Sequence, residues 1–277
     1  MSATDTAGDG AWDGRRGGAQ PGLRQRVLVT GASRESGIGA AVAAAHAARG
    51  AAVAVHCRAD TAAGEAVVAK LPGEGHLTVT GDLADPGQVA RVVGEAVEGL
   101  GGIDVLVNNS GIYIEHPIAG TSYEEWQSLW RRHIDVNLIA AANTSWCVVD
   151  HLLHRPQGPA GGRIVMIGSR GGYRGEPHVP AYGASKAGLH SLAQSLAVAL
   201  APHRIAVAAL AVGFTRTDLT ADLLEDPEAS RAVLAQHPLG RVADPSEIAS
   251  AVAWFTSPEA EWATGAVLHL NGASYLH

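Results

Sequence analysis

Short runs of apolar, often β-branched residues recur along the chain and alternate with longer segments in which apolar residues follow a helical period. Several short runs are apolar at every position, which is typical of strands that helices cover on both faces. Seven such runs predict β-strands, at residues 26–30, 51–57, 76–80, 103–108, 163–167, 204–210 and 267–271.

The segments between the predicted strands carry signals for helix starts. Asp85 and Asp244 are each followed by proline and then, at the third helical position, by glutamine or glutamate, as in a capping box. Ser122 begins a similar box without proline, and we expect one long helix from there to about His154. Strands that alternate with helices in this way predict an α/β fold with a doubly wound, seven-stranded parallel sheet.

The chain has 277 residues, a length that suits one large domain. Because the alternation shows no internal repeat, we expect a single domain over residues 26–277. Residues 1–25 are rich in Gly, Asp, Ala and Arg and have no hydrophobic period, so we predict a disordered leader there.

The composition excludes several classes of function. With 20 basic and 27 acidic residues the net charge is −7, and no basic block offers a surface for nucleic-acid phosphates. The longest apolar run, residues 205–212, is far shorter than the ~20 residues that span a bilayer. The two cysteines and the 13 histidines show no zinc-ligand motif, so we predict no metal site. We expect a cytoplasmic protein that binds neither nucleic acid nor a membrane.

A glycine-rich turn follows the first predicted strand and opens a helix. It runs from Thr30 to Gly39 and contains Gly31 and Gly37 between them. Glycines in this place let the backbone approach a pyrophosphate, and the helix N-terminus presents free N–H groups with partial positive charge. A plain tight turn would also use glycines, but the order of strand, turn and helix favours dinucleotide binding.

The end of the second predicted strand indicates which dinucleotide is bound. An acidic residue there would hold the ribose 2′-hydroxyl of NAD, whereas an arginine accommodates the 2′-phosphate of NADP. No acid occurs before Asp60, while Arg58 stands at the strand end and Arg34 lies in the glycine turn. The alternative is that both arginines are solvated surface residues. We predict NADPH or NADP, rather than NAD, as the cofactor.

Of the 20 basic residues only Lys70 and Lys186 are lysines, and Lys186 follows Tyr182 by four residues at the start of an apolar helical run. Both side chains therefore share one helix face. A tyrosine transfers protons near neutral pH only if its pKa of ~10 falls towards 7. An ammonium ~4 Å away at an effective dielectric of ~20 supplies about the required 4 kcal/mol. We expect Lys186 to lower the pKa of Tyr182.

Ser169 lies just past a predicted strand and 13 residues before the tyrosine. At this point the sequence resembles the short-chain dehydrogenase/reductase family, most closely its 3-oxoacyl-carrier-protein reductase branch. The resemblance runs from about Arg26 to the C-terminus and implies a Rossmann fold. Besides the glycine turn, the motifs that carry it are Asp82-Leu83, Asn108-Asn109-Ser110-Gly111, Asn137, Ser169, Tyr182-xxx-Lys186, Gly240-Arg241-Val242, Glu247-Ile248-Ala249, Thr264-Gly265 and Asn271-Gly272.

The resemblance implies an NAD(P)-dependent oxidoreductase in which Tyr182 is the proton donor and Lys186 supplies positive charge and bonds the nicotinamide ribose. Ser169 would orient and polarise the carbonyl, and Asn137 would support a water-linked proton path. Each of these four residues has an ordinary interpretation when it is taken alone. Tyr182 would be a packing residue, Lys186 a solvated charge, Ser169 a turn former and Asn137 a polar residue inside a helix. The residues implied to contact the cofactor are Gly31, Ser33, Arg34, Gly37, Ile38, Gly39, Arg58, Asp82, Leu83, Asn109, Ser110, Gly111, Tyr182, Lys186, Gly213 and Thr215.

The chain departs from the family pattern in four places. Five residues, rather than three, separate the first two glycines of the turn, and Val212-Gly213 replaces the usual Pro-Gly. Ser110 replaces an alanine, and Ala273 replaces a glycine. None of these changes removes a group that proton or hydride transfer needs.

The leading hypothesis is an NADPH-dependent carbonyl reductase, or its reverse as an alcohol dehydrogenase, with a 3-oxoacyl or polyketide-like ketone as its small-molecule substrate. An epimerase or dehydratase of the same fold and a non-catalytic NADP-binding sensor or scaffold stay open. A carrier-protein substrate would need a basic docking patch, to which Arg131, Arg132, Arg170 and Arg174 would contribute. The helical segments 122–154 and 182–201 carry apolar residues on more than one face, and the resemblance implies that they pair in a homotetramer, with a dimer as the alternative.

Overall fold

The computed structural model describes residues 24–276. Its strands are β1 (Arg26–Val29), β2 (Ala52–Cys57), β3 (Leu77–Thr80), β4 (Val105–Asn108), β5 (Arg163–Ile167), β6 (Ala206–Val212) and β7 (Val267–Leu270). They form one sheet in the order β3-β2-β1-β4-β5-β6-β7, and every pairing is parallel. The predicted doubly wound, seven-stranded sheet is therefore confirmed.

Helices connect the strands and cover both faces of the sheet. They are α1 (Ile38–Ala47), α2 (Thr61–Val68), α3 (Pro86–Leu100), α4 (Tyr123–Ile134), α5 (Ala140–His154), α6 (Pro180–Leu200), α7 (Asp218–Glu225), α8 (Pro227–Leu234) and α9 (Pro245–Phe255). One apolar core packs α1 and α9 against one face, and a second packs α3, α5 and α6 against the other. None of the helices in this part of the chain is long and apolar enough to cross a bilayer.

The predicted leader overlaps the described part of the chain only at its last two residues. Arg24 Nε donates to the Gly50 carbonyl at 2.9 Å, and Gln25 Nε2 donates to the Thr256 carbonyl at 3.2 Å. These two residues are therefore tied to the sheet and belong to the domain, two positions before the predicted boundary. The rest of the predicted leader, residues 1–23, lies outside the described residues.

The helix predicted from Ser122 to His154 is unbroken, but it is not a regular α-helix throughout. Between α4 and α5 the backbone makes one π-helical turn at Asp135–Ile139, which widens the helix by one residue. Such turns frequently accompany functional sites because they change the direction in which a side chain points. Asn137 lies within this turn and is buried.

The predicted caps occur at each helix start, with one difference. Asp244 and Glu247 form the reciprocal box, and Ser122 Oγ accepts from the Glu125 N–H at 3.2 Å. Asp85 accepts from the Gly87 N–H at 2.9 Å, but Gln88 accepts from Asp82 instead of returning a bond to the cap backbone. Gln88 thus connects the start of α3 to the loop after β3.

A partly buried ion cluster fixes the amino ends of the two central strands. The Asp104 carboxylate, just before β4, accepts from Arg26 Nε and Nη2 on β1 at 2.9 Å each and from Arg155 Nη1 at 2.6 Å. Burial alone would raise the pKa of Asp104, but the hydrogen bonds and charge of Arg26, with the charge of Arg155, hold it below its usual value. The cluster therefore joins β1, β4 and the end of α5.

We expect Asp104→Asn to destabilise the protein by roughly 1.5–3 kcal/mol at neutral pH, the contribution of hydrogen bonds to a charged group. Because the folded-state pKa lies below the unfolded-state pKa, this stabilisation is complete above the unfolded-state pKa and is lost as pH falls through the folded-state pKa. Urea unfolding at several pH values measures both effects.

The matched control is Glu95→Gln, which removes an exposed carboxylate paired with Arg91 at 2.7 Å. An exposed pair of this i,i+4 kind contributes about 0.3–0.5 kcal/mol. Equal losses of unfolding free energy for the two variants would show that the cluster around Asp104 stabilises the protein no more than an exposed ion pair does.

Candidate active site

The first part of the site is the glycine-rich turn between β1 and α1. Gly31 has a φ of +62°, a left-handed backbone that residues with a side chain rarely adopt. Helix α1 begins at Ile38 after Gly37, and no side chain caps its first N–H groups. The turn therefore presents backbone donors and partial positive charge, as an anion-binding turn does.

Asn109 and Ser110, which follow β4, hold this turn in place. Asn109 Nδ2 donates to the carbonyls of Thr30 and Gly31 at 2.9 Å each, and the Ser110 N–H donates to Thr30 Oγ1 at 3.0 Å. A Cβ on Gly39 would lie 2.6 Å from Asn109 Nδ2, closer than real atoms approach. Only a glycine at position 39 thus allows the turn and the start of α1 to pack this closely against the loop after β4.

His56, in β2, also supports the turn, and sequence reasoning missed it. Its Nδ1 accepts from the Gly31 N–H at 3.0 Å, and its Nε2 lies 2.9 Å from the Gly81 carbonyl. Burial lowers the pKa of His56, which favours the neutral ring with one donor and one acceptor that these contacts need. The sequence did carry a signal for this role, because His56 is a polar residue inside an otherwise apolar strand.

The lengthened glycine loop contacts two neighbouring elements. Ser36 Oγ accepts from the Asp218 N–H at 3.2 Å and donates to the Asp218 carboxylate at the start of α7. Glu35 forms an ion pair with Lys70, just beyond α2. The extra residues of the loop therefore bind the surrounding chain.

Arg34 and Arg58 are both exposed, and neither side chain forms a hydrogen bond or an ion pair with another residue of the described range. They follow β1 and β2, which are neighbours in the sheet, so they lie at adjoining strand ends. Two guanidinium groups in this position fit the binding of a 2′-phosphate.

The remaining predicted cofactor contacts also follow the carboxyl ends of strands. Leu83 is buried in the core, and Asp82 Oδ1 accepts from the backbone N–H two residues later at 3.0 Å. Thr215 is buried after β6, with its hydroxyl 3.3 Å from the Gly213 carbonyl. Ser33 is half-buried in the glycine turn. Parallel strands bring these ends to one edge of the sheet.

The second part of the site is the start of α6. Lys186 Nζ is buried and donates to the Ile167 carbonyl at 2.8 Å, at the end of β5. The same nitrogen lies 5.7 Å from the centroid of the Tyr182 ring. Ser169 follows β5, is buried, and accepts from the Gly171 N–H at 3.0 Å through its Oγ. The structure thus brings the predicted serine, tyrosine and lysine together.

In the protein alone, the predicted lowering of the Tyr182 pKa by Lys186 does not occur, so this prediction is wrong. Burial raises this pKa above its usual value, and the hydrogen bond with Ser169, which lowers it, does not outweigh burial. The Lys186 ammonium is directed at the Ile167 carbonyl, and burial lowers the pKa of Lys186 to about 8. At neutral pH Tyr182 is therefore a protonated phenol beside a largely protonated lysine.

Asn137 is held in the π turn by contacts on both sides of its amide. Its Oδ1 accepts from the Ile112 N–H at 2.8 Å, and its Nδ2 donates to the Ile112 carbonyl at 3.1 Å and to Ser185 Oγ at 3.1 Å. Ser185 Oγ in turn donates to the Tyr182 carbonyl at 2.7 Å. A Cβ on Gly111 would lie 3.4 Å from Asn137 Oδ1 and 3.5 Å from Lys186 Nζ. Asn137, Gly111 and Lys186 therefore surround one small space.

Two buried histidines connect the loop after β4 to this region. His116 Nε2 accepts from the N–H of Ala181, the residue before Tyr182, at 3.1 Å. His133 Nε2 accepts from the Ile114 N–H at 3.2 Å. Both are packing and positioning residues. No group of three or more His, Cys, Asp or Glu that could hold a metal occurs within residues 24–276.

Arg170, directly after Ser169, is buried rather than exposed. Its guanidinium carbon lies 4.9 Å from the centroid of the Phe214 ring, and its Nη2 donates to Gln236 Oε1 at 2.8 Å. Arg131 and Arg132 are exposed on α4. The four arginines considered for a carrier-protein docking patch therefore do not share one surface, because Arg170 faces the interior.

Known proteins are similar to this chain over most of its length. Residues 31–273 match the family described as enoyl-(acyl carrier protein) reductase. The chain is 36% identical over 250 residues to the 3-oxoacyl-[acyl-carrier-protein] reductase FabG of Vibrio cholerae, which covers 90% of this chain and 97% of that protein. It is 34% identical to the 3beta-hydroxysteroid dehydrogenase 1 of Eggerthella lenta, over 91% of this chain and 94% of that one.

Among solved structures, a short chain dehydrogenase from Burkholderia cenocepacia in complex with NADP superposes with a TM-score of 0.79 at 31% identity. The match covers 90% of this chain and 97% of that chain. A dehydrogenase/reductase from Sinorhizobium meliloti gives a TM-score of 0.80 at 31% identity, over 92% and 96% of the two chains.

Proposed function

The chain belongs to the short-chain dehydrogenase/reductase family of NAD(P)-dependent oxidoreductases, and on this premise we propose that it is an NADPH-dependent carbonyl reductase that also runs in reverse as an alcohol dehydrogenase. The observation that carries the proposal is the contact set around Tyr182, where Ser169 and Lys186 approach the same phenol. The cytoplasm stays our predicted compartment, on composition alone.

The turn after β1 fits a dinucleotide. A Cβ on Gly31 would meet Ser110 at 2.9 Å and one on Gly39 would meet Asn109 at 2.6 Å, so both glycines are needed for the turn to pack against the loop after β4. The pyrophosphate would be held by the N–H groups at the start of α1, and the 2′-phosphate by Arg34 and Arg58. NADPH supplies the hydride for the carbonyl carbon. A relative solved with NADP supports this assignment.

In the proposed reaction Tyr182 gives a proton to the carbonyl oxygen of the substrate. Burial raises its pKa, which keeps the proton on the phenol until a developing alkoxide attracts it. Ser169 donates to the same oxygen and orients it, while the Lys186 ammonium stabilises the phenolate that remains. Asn137 fixes the backbone near Tyr182 through Ser185 and supports proton return to Lys186.

For the substrate we propose a small-molecule ketone, of 3-oxoacyl or polyketide-like type. Relatives named as 3-oxoacyl reductases support the first class, and one named as a hydroxysteroid dehydrogenase shows that related chains are also named for cyclic substrates. We expect this substrate to lie over Ser169 and Tyr182, beneath the loop from Arg170 and the segment around α7 and α8, and the contact of Arg170 with Gln236, which joins the two segments, supports this.

For the assembly we propose a homotetramer, with a dimer as the alternative. Ile139, Trp146 and Leu153 are 41%, 69% and 38% exposed and follow one another at seven-residue spacing, so they form one apolar line along α5. The outer face of α6 presents small exposed residues, such as Ala184 and Ala187. Edge strand β7 offers a second surface. Exposed apolar lines of this kind mark protein interfaces.

The cofactor preference is tested by Arg58→Asp. We expect the affinity for NADPH to fall by roughly 1.5–3 kcal/mol, the loss of a charge-assisted phosphate contact, while NADH affinity stays nearly constant. Fluorescence titration of both cofactors measures this. Arg132→Asp, an equal charge change on α4, is the control. Equal affinity of the unmodified protein for the two cofactors contradicts the assignment.

The proton donor is tested by Tyr182→Phe. We expect turnover to fall by ~10²–10⁴-fold or more, with NADPH binding and folding nearly unchanged. Tyr123→Phe, at an exposed tyrosine of α4, is the matched control. Lys186→Arg should fail to replace lysine because a guanidinium is planar and bulkier, whereas Lys70→Arg should leave turnover intact. Near-normal turnover of Tyr182→Phe would favour the epimerase, dehydratase or sensor alternatives.

The assembly is tested by Trp146→Asp. A charge in the centre of the apolar line on α5 should separate subunits, since a buried unpaired carboxylate disfavours association. Light scattering at micromolar concentration should show a tetramer for the unmodified protein and a smaller species for the variant. Trp146→Phe keeps an aromatic ring and should retain the tetramer. A monomeric unmodified protein would overturn the proposal.

A further inference from the structure

Arg170 carries a buried charge that forms no salt bridge with any residue of the described range. The residue is 4% exposed, and its Nη1 has no hydrogen-bond partner within the described part of the chain. The partners of the guanidinium are an amide oxygen on Gln236 and the face of the Phe214 ring. Neither neutralises a positive charge, and a buried cation without an anion is costly.

The neighbouring charged groups do not remove this imbalance. Arg174 Nη1 donates to the same Gln236 Oε1, so two cations share one neutral acceptor. Glu176 is the nearby carboxyl: burial raises its pKa, Arg170 and Arg174 lower that pKa by less, and the charge of Glu176 in turn acts against burial to raise the pKa of Arg170. No salt bridge joins Glu176 to either arginine among residues 24–276, and one carboxyl group stands against two guanidinium groups. The region around Arg170 therefore has an excess of positive charge.

Arg170 also adjoins the proposed catalytic residues. It directly follows Ser169, and its charge acts on both Tyr182 and Tyr113. The Tyr113 ring packs edge-on against the Tyr182 ring with centroids 5.1 Å apart. Burial raises the pKa of Tyr113 to about 12, so its hydroxyl stays protonated. That hydroxyl has no hydrogen-bond partner in the range described. Among the described residues the Tyr113 hydroxyl is thus an unpaired donor on a ring that packs against Tyr182, and Arg170 Nη1 is a second unpaired donor whose charge acts on both tyrosines.

We propose that Arg170, with the hydroxyl of Tyr113, binds a carboxylate of the substrate, so that the enzyme acts on oxoacids in preference to neutral ketones. The inference rests on the proposed reductase function and specifies its substrate class. A carboxylate satisfies the donor at Nη1 and supplies the missing negative charge in one contact. Gln236, from the end of α8, holds the guanidinium in place for it.

The experiment compares matched acids and esters. 2-Oxobutanoate, 3-oxobutanoate and 4-oxopentanoate place the carboxylate at increasing distance from the ketone, and each methyl ester removes only the charge. NADPH oxidation gives kcat and KM for all six compounds. At one or more of these lengths we expect the acid to exceed its ester by about tenfold or more in kcat/KM, through KM, as one charge-assisted contact provides.

Two variants distinguish binding of the substrate carboxylate by Arg170 from a purely structural role of Arg170 in holding α8. Arg170→Met keeps a long, flexible side chain on Phe214 but removes the charge, and it should abolish the preference for the acid. Arg174→Met breaks the other contact to Gln236 and should retain that preference. An equal loss for acid and ester in Arg170→Met would assign Arg170 to holding α8, and this outcome overturns the proposal. An unmodified enzyme that never prefers the acid overturns it as well.

A binding measurement distinguishes failure of this inference from failure of the reductase function. Ligand-observed NMR with butanoate and butanamide reports carboxylate binding without any turnover. Binding of butanoate alone, lost in Arg170→Met, supports the carboxylate site even if no ketone is reduced. Reduction of esters without butanoate binding leaves the reductase function standing and overturns the carboxylate site.

Discussion

The hydrogen bond from the buried Lys186 ammonium to the Ile167 carbonyl is the constraint on which the site depends. A charge in this interior needs an acceptor, and the carbonyl at the end of β5 provides it at 2.8 Å. The bond fixes α6 against the sheet and thereby places Tyr182 one helical turn earlier. The same ammonium lies beside the loop after β4, where a Cβ on Gly111 would be in van der Waals contact with Lys186 Nζ at 3.5 Å.

The glycine turn shows the same dependence between distant parts of the chain. His56 supports it from β2, Asn109 from the loop after β4, and Asp218 from the start of α7. The Asp218 contact joins the turn to the segment that also carries Gln236 at the end of α8. The cofactor side and the substrate side of the site are therefore linked through the lengthened loop.

The sequence was sufficient for the sheet, the helix starts and the Tyr182–Lys186 pair, because hydrophobic period, capping residues and helical spacing are local properties. It was insufficient for the π turn around Asn137, whose five residues carry no local signal of a wider helix. The burial of Arg170 and the support from His56 depend on neighbours far along the chain. The raised pKa of Tyr182 was missed because spacing predicts nearness to Lys186 but not burial.

The π turn at Asp135–Ile139 also sets the rotational phase of everything after it. Each residue of an α-helix advances the direction of the side chains by about 100°, as 3.6 residues per turn require. Asn137 within this turn is buried, while Trp146, farther along in α5, is 69% exposed. Deleting a single residue there would rotate α5 by about 100° relative to α4 and turn its apolar line to another side of the helix. The direction of the Asn137 amide and the direction of that apolar line thus depend on the same single-residue register.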